Sequence, residues 1–216
     1  MIESISFSTK FTSFSSIRRA LVLALLAVLS AFLSTYASWD SGFLLINGTP
    51  ILPGIYFGLV LSFGVFCWTR RSRSELFTVL VITTGAWILA HQTGRHVYEL
   101  IDSELVRIQK QTAPDSTSNV RGLEVNYVIA LCGALGGLVG SFVTGAGIAF
   151  VSKEFYTRGN WARTTLIGMV AGTLLEFAIN PVNMSSHVGT LLLFLVWQSS
   201  VAASIGYGLR TRQDQE

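Results

Sequence analysis

The residue whose type and setting most suggest chemistry is Glu176. It lies inside the apolar run Thr164 to Asn180, one helical turn before Asn180. Gly168, Gly172, Glu176 and Asn180 recur at every fourth position, so on a helix they form one row facing neighbouring helices. An ionisable group at the centre of a membrane helix costs on the order of 2.5–3.5 kcal/mol. Such a residue marks an ion or proton path unless a neighbouring helix uses it as a hydrogen-bonding or ion-pairing group. Gln198, followed by Ser199 and Ser200 inside the last apolar run, is the second such residue. An interhelical hydrogen bond accounts for a glutamine there.

The three histidines, His91, His96 and His187, fall near the ends of apolar runs. Imidazoles beside a carboxylate can bind a metal ion or relay protons near neutral pH. The spacing is not diagnostic of a metal centre: His91 and His96 do not share a helical face well, and no HxxxH, HExxH or paired Cys/His motif is present. No nucleotide-binding loop, GxSxG motif or serine–histidine–aspartate order appears either. No catalytic residue, metal site or cofactor is therefore assigned, and a non-enzymatic role is expected. The candidate ion or substrate path consists of Glu176, Asn180, Gln198, His187 and His91.

The elements that must position these residues are apolar helices. Half of the 216 residues are hydrophobic, 12% are charged, and the mean hydropathy is +0.54. Soluble domains carry about 25% charged residues. The fold class expected is an all-α integral membrane protein, a single polytopic domain over 1–216 with about six spans. These are placed at about 20–37, 51–68, 76–91, 126–151, 164–180 and 188–209. The first run, preceded by Arg18 and Arg19, exceeds the roughly 7–15 apolar residues of a signal peptide and is expected to be retained as a helix. Cys67 and Cys132 fall at different depths, which argues against a disulfide between them.

The fourth span, Asn126 to Val151, is expected to be central. It carries no charge, and Gly133, Gly137, Ser141, Gly145 and Ala149 follow one another at fourth positions, with Gly136 and Gly140 beside them. In water each glycine would cost a helix up to about 1 kcal/mol. In lipid the backbone has no other partner, so the helix is enforced and the glycines open a groove for a second helix. The fourth and fifth spans are expected to pair as an antiparallel hairpin through this row and Gly168 and Gly172.

Charge sets the orientation. Lys10, Arg18, Arg19, Arg70, Arg71, Arg73, Lys153, Arg158, Arg163, Arg210 and Arg212 fall on one side of a six-span chain; only Arg95, Arg107, Lys110 and Arg121 fall on the other. The positive-inside rule then gives N-in, C-in, in a bacterial inner membrane, with the polar segment 92–125 extracytoplasmic. Within it Val97, Ile101, Leu105 and Ile108 form an amphipathic stripe. The net charge of +3 sits in short clusters between apolar runs, which fits membrane orientation and argues against a nucleic-acid partner.

Three functions follow as expectations. The first is a small cation- or proton-linked transporter or channel-like protein using Glu176. The second is a non-catalytic membrane subunit or assembly factor, forming a homo-oligomer or meeting a partner subunit through the small-residue grooves or residues 97–108. The third is a metal- or haem-binding membrane subunit using the histidines. In each the lipid bilayer is the surrounding partner.

Overall fold

A computed structural model describes residues 15–40, 44–69, 72–112, 121–152, 155–156, 159–175 and 186–209. The described chain is almost entirely helical: α1 (Ser16–Asp40), α2 (Leu52–Thr69), α3 (Arg73–Thr112), α4 (Arg121–Val151), α5 (Asn160–Gly172) and α6 (Ser186–Gly208). A short hairpin, β1 (Leu45–Ile46) and β2 (Thr49–Pro50), joins α1 to α2.

Each helix packs against the next, and α6 returns to α1, which closes the six into a ring. Neighbours run antiparallel. Gly54 and Gly58 of α2 meet Thr84 and Leu80 of α3, while Gly94 of α3 meets Cys132 of α4 and Ala90 meets Gly140. Asn160 and Arg163 of α5 bond to Gly208 and Ser204 of α6. On α6, Gly206 lies against Arg19 of α1, and Gln198 bonds to Ser34. The start of α1 and the end of α6 therefore share one end of the ring.

Five of the helices are long and apolar enough to cross a membrane. The sides of the bundle are apolar: Leu25, Phe77, Leu166 and Val170 are each more than half exposed. The interior holds buried polar groups, among them Ser34, Thr83, Ser141, Thr144 and Gln198. Water-soluble domains reverse this arrangement, and the helices are compatible with an integral membrane protein.

The helix boundaries differ informatively from the spans read from sequence. α1 runs on to Asp40 rather than stopping near Ala37. α3 does not end at His91 but continues as one 40-residue helix through the polar segment. At about 1.5 Å per residue it is about 60 Å long, twice the roughly 30 Å of hydrocarbon. It opens with a capping box: Ser72 N–H donates to Glu75 Oε2 at 2.8 Å, and Glu75 N–H donates to Ser72 Oγ at 3.4 Å. Its polar half contains no proline and carries the pairs Arg95–Glu99 and Glu104–Arg107. α4 likewise begins at Arg121 rather than Asn126.

α5 begins at Asn160 and spans 13 residues, about 20 Å. After Gly172 its hydrogen bonding tightens: Thr173 N–H donates to Val170 C=O and Leu174 N–H to Ala171 C=O, both i to i−3. Residues 176–185, which include the end of the fifth span, lie outside the described residues.

The loop between the first two helices contains more structure than its turn residues alone imply. Leu45 pairs with Pro50 and Ile46 with Thr49 across an Asn47-Gly48 turn with φ of 50° and 77°. Positive φ at both central residues defines the type I′ turn that Asn-Gly favours.

Candidate functional site

The ring is divided internally by aromatic side chains. Trp87 of α3 meets Phe194 of α6 in a tilted contact, with ring centroids 5.3 Å apart, and Trp197 of α6 meets Phe57 of α2 at 5.4 Å. Trp87 and Trp197 lie 6.4 Å apart and complete the cluster. On the α4–α5 side of this partition lies a cavity of about 440 Å³. That volume falls within the roughly 300–1,000 Å³ of small-molecule sites.

Helical periodicity builds its walls. From α3 come Trp87, Ala90, His91, Gly94, Arg95 and Tyr98, at i, i+3, i+4, i+7, i+8 and i+11. From α4 come Ile129, Cys132, Gly133, Gly136 and Gly137 at the same rhythm. Gly172 and Leu175 follow α5 into the wall, and Leu193, Phe194 and Trp197 of α6 close it. The glycines serve the close packing of the walls as well as the cavity. A Cβ on Gly136 would lie 2.8 Å from the Ala90 carbonyl oxygen of α3. One on Gly133 would overlap the Gly172 carbonyl oxygen of α5, and one on Gly137 that of Gly168. Gly168 in turn faces Ser141, and Gly145 faces Trp161.

One end of the cavity is polar, and the β1–β2 hairpin braces it. Trp87 Nε1–H donates to the Pro50 carbonyl at 2.7 Å. Gln92 Nε2 donates both to the Asn47 carbonyl at 3.2 Å and to Thr49 Oγ1 at 2.7 Å. Thr49 Oγ1 lies 3.1 Å from His91 Nδ1. Arg95 Nε donates to Glu99 Oε1 at 2.8 Å, an exposed pair one turn further along α3. Arg95 also borders a second, polar recess with Asn47, Gln92, His96 and Glu99.

Of the five residues proposed for an ion or substrate path, the structure places His91 in the cavity wall. Gln198 is 1% exposed at the α1–α6 contact, where its Nε2 donates to Ser34 Oγ at 3.0 Å; it does not line the cavity, although its neighbour Trp197 does. Its Oε1 has no hydrogen-bond partner among the described residues. His187 is exposed at the start of α6 and is also absent from the cavity wall. Glu176 and Asn180 lie outside the described residues. Among the described residues no three His, Cys, Asp or Glu side chains gather as a metal site would require.

Sequence reasoning missed Trp87, Arg95, Tyr98, Thr49 and Cys132 as members of the site. A signal existed for the α3 residues: their 3.6-residue rhythm runs unbroken through His91, where hydropathy alone ended the span. Thr49 carried no comparable signal, because its contact with His91 joins residues 42 positions apart. No family model matches the chain, and no curated protein or solved structure shows significant similarity to it.

Proposed function

We propose that this chain is a small membrane transporter that takes a lipophilic molecule into the cavity between α3, α4, α5 and α6. The observation that carries the reading is the cavity itself: aromatic and glycine walls inside the helix ring, with His91 and Arg95 gathered at one end. Apolar walls with a few convergent polar groups are the usual composition of a small-molecule site. A cation path would instead need polar groups along its length, and Phe57, Trp87, Phe194 and Trp197 occupy the interior beside the cavity. Linkage to a cation or proton is proposed through Glu176, which follows the cavity-lining Leu175 in the sequence. The proposed setting is a bacterial inner membrane with both termini inside and residues 92–125 outside. Close approach of α4 to α5 through Gly133, Gly137, Gly168 and Gly172 is proposed as the packing that holds the cavity walls.

Cys132, buried in the cavity wall, supplies the test. Lipophilic amphiphiles that occupy the cavity are expected to slow alkylation of Cys132 by a small apolar maleimide, followed by mass spectrometry. Unchanged alkylation across a varied set of such molecules would overturn the reading. In reconstituted vesicles Glu176→Gln is expected to abolish cation- or proton-coupled uptake with expression intact; normal coupled flux would remove Glu176 from the mechanism.

A second reading, a membrane subunit or assembly factor, draws support from α3. Its length leaves about half the helix beyond the hydrocarbon, with Tyr98 and Leu100 exposed on the projecting part. Deleting residues 100–112 and assaying co-purification of other membrane proteins separates the two. Loss of a stoichiometric partner with Cys132 protection unchanged would favour the subunit.

A further inference from the structure

We infer that the cavity selects amphiphiles whose head group is a carboxylate, held by His91 Nε2–H and the Arg95 guanidinium. The inference rests on the cavity being a small-molecule site and adds the class of molecule it takes.

The Asn47 group facing Gln92 is a main-chain carbonyl, which can only accept. Gln92 must therefore present its NH₂ there, and the same nitrogen reaches Thr49 Oγ1 at 2.7 Å. The Thr49 oxygen thus accepts from Gln92, and its own hydroxyl hydrogen needs an acceptor. Thr49 is fully buried, so water does not supply one. His91 Nδ1, at 3.1 Å, does. An imidazole that accepts at Nδ1 carries its proton on Nε2 in the neutral form. The hairpin occupies the Nδ1 edge of the ring, which leaves Nε2–H, on the other side, to the cavity that His91 lines.

One turn along the same face stands Arg95. Its Nε is engaged by Glu99, its Nη1 lies beside the Gly48 turn, 3.4 Å from where a Cβ would stand, and the two Nη groups carry four further N–H donors. Glu99 offsets part of the charge but adds no donor to the cavity. His91 and Arg95 thus offer donors only, one of them cationic, at the end of an apolar chamber. A carboxylate matches both, through a charge-assisted hydrogen bond to arginine and a second bond to Nε2–H. A cationic head group would be repelled by the Arg95 charge, and a donor-only one would leave His91 Nε2–H without an acceptor.

Tryptophan fluorescence tests the inference on the full chain in nanodiscs, because Trp87 and Trp197 line the cavity. The probes are a medium-chain fatty acid brominated at its tail and the methyl ester of the same acid. The acid is expected to quench saturably at about tenfold to a hundredfold lower concentration than the ester, the range a charge-assisted hydrogen bond provides. Arg95→Gln and His91→Phe are expected to bring the two curves together. Equal saturable quenching by acid and ester in the native protein would overturn the carboxylate inference while leaving the lipophile reading intact. Absence of saturable quenching by both would also overturn it, and the lipophile reading would then rest on Cys132 protection by other molecules. An independent arm needs no ligand: ¹⁵N NMR of His91 in a His96→Gln, His187→Gln protein is expected to show an unprotonated Nδ1. A protonated Nδ1 on the neutral ring would overturn the assignment.

Discussion

Gln198 Nε2 lies 3.0 Å from Ser34 Oγ, a hydrogen bond that joins the last helix of the ring to the first. It gives the glutamine of α6 a structural partner away from the cavity. Gln198→Leu removes this bond and also removes Oε1, which has no partner among the described residues. The Ser34 hydroxyl can then turn to its own helix, as Ser38 does to the Ser34 carbonyl at 2.8 Å. The expected loss is under about 1 kcal/mol, in the range of interhelical hydrogen bonds in lipid. Unfolding in mixed detergent micelles measures it. Abolished uptake at unchanged stability would instead return Gln198 to the substrate path.

Glycine positions separate into those that touch another backbone and those that do not. Gly133→Ala places a Cβ on the Gly172 carbonyl oxygen, so α4 and α5 must part. A loss of about 1–3 kcal/mol is expected, the usual range for overpacking, and Gly137→Leu should cost at least as much. Gly85 has nothing within 4 Å of its added Cβ. Gly85→Ala is expected to be neutral or stabilising by up to about 1 kcal/mol through helix propensity. Equal thermal stability of Gly133→Ala and Gly85→Ala proteins would show that the α4–α5 approach is not tight.

Gly48 holds the hairpin that braces His91. Its φ of 77° is left-handed, and an added Cβ would lie 3.4 Å from Arg95 Nη1. Gly48→Val is expected to cost about 1–2 kcal/mol in backbone strain alone. Displacement of Thr49 should also loosen the Nδ1 bond and reduce the preference for the brominated acid over its ester. An unchanged preference would mean that His91 is oriented without the hairpin.

Orientation in the membrane is open to a direct measurement. Tags at both ends are expected to be accessible from the cytoplasmic side alone, and a cysteine placed at Ser118 should be labelled from outside. Labelling of that cysteine from the cytoplasm would reverse the orientation drawn from the distribution of Lys and Arg.

What the sequence determined by itself was the apolar helical character of the chain. Runs such as Ala20 to Ala37 and Asn126 to Val151 leave the backbone no partner but its own helix, a local constraint that requires no knowledge of neighbours. The Asn47-Gly48 turn is local in the same sense, since positive φ is a property of the residues themselves. The unbroken course of α3 was not, because hydropathy marks where lipid ends rather than where a helix ends, and the Arg95–Glu99 pair carries α3 onward through polar sequence. Tertiary structure alone decided which polar side chains meet. Gln198 and Ser34 are 164 residues apart, and Thr49 and His91 are 42 apart; no periodicity relates them. Their pairing depends on how antiparallel helices register when the ring closes, a product of all its contacts together. The cavity belongs to the same level: the residues on its walls announce packing, and only the arrangement of four helices around them leaves the space.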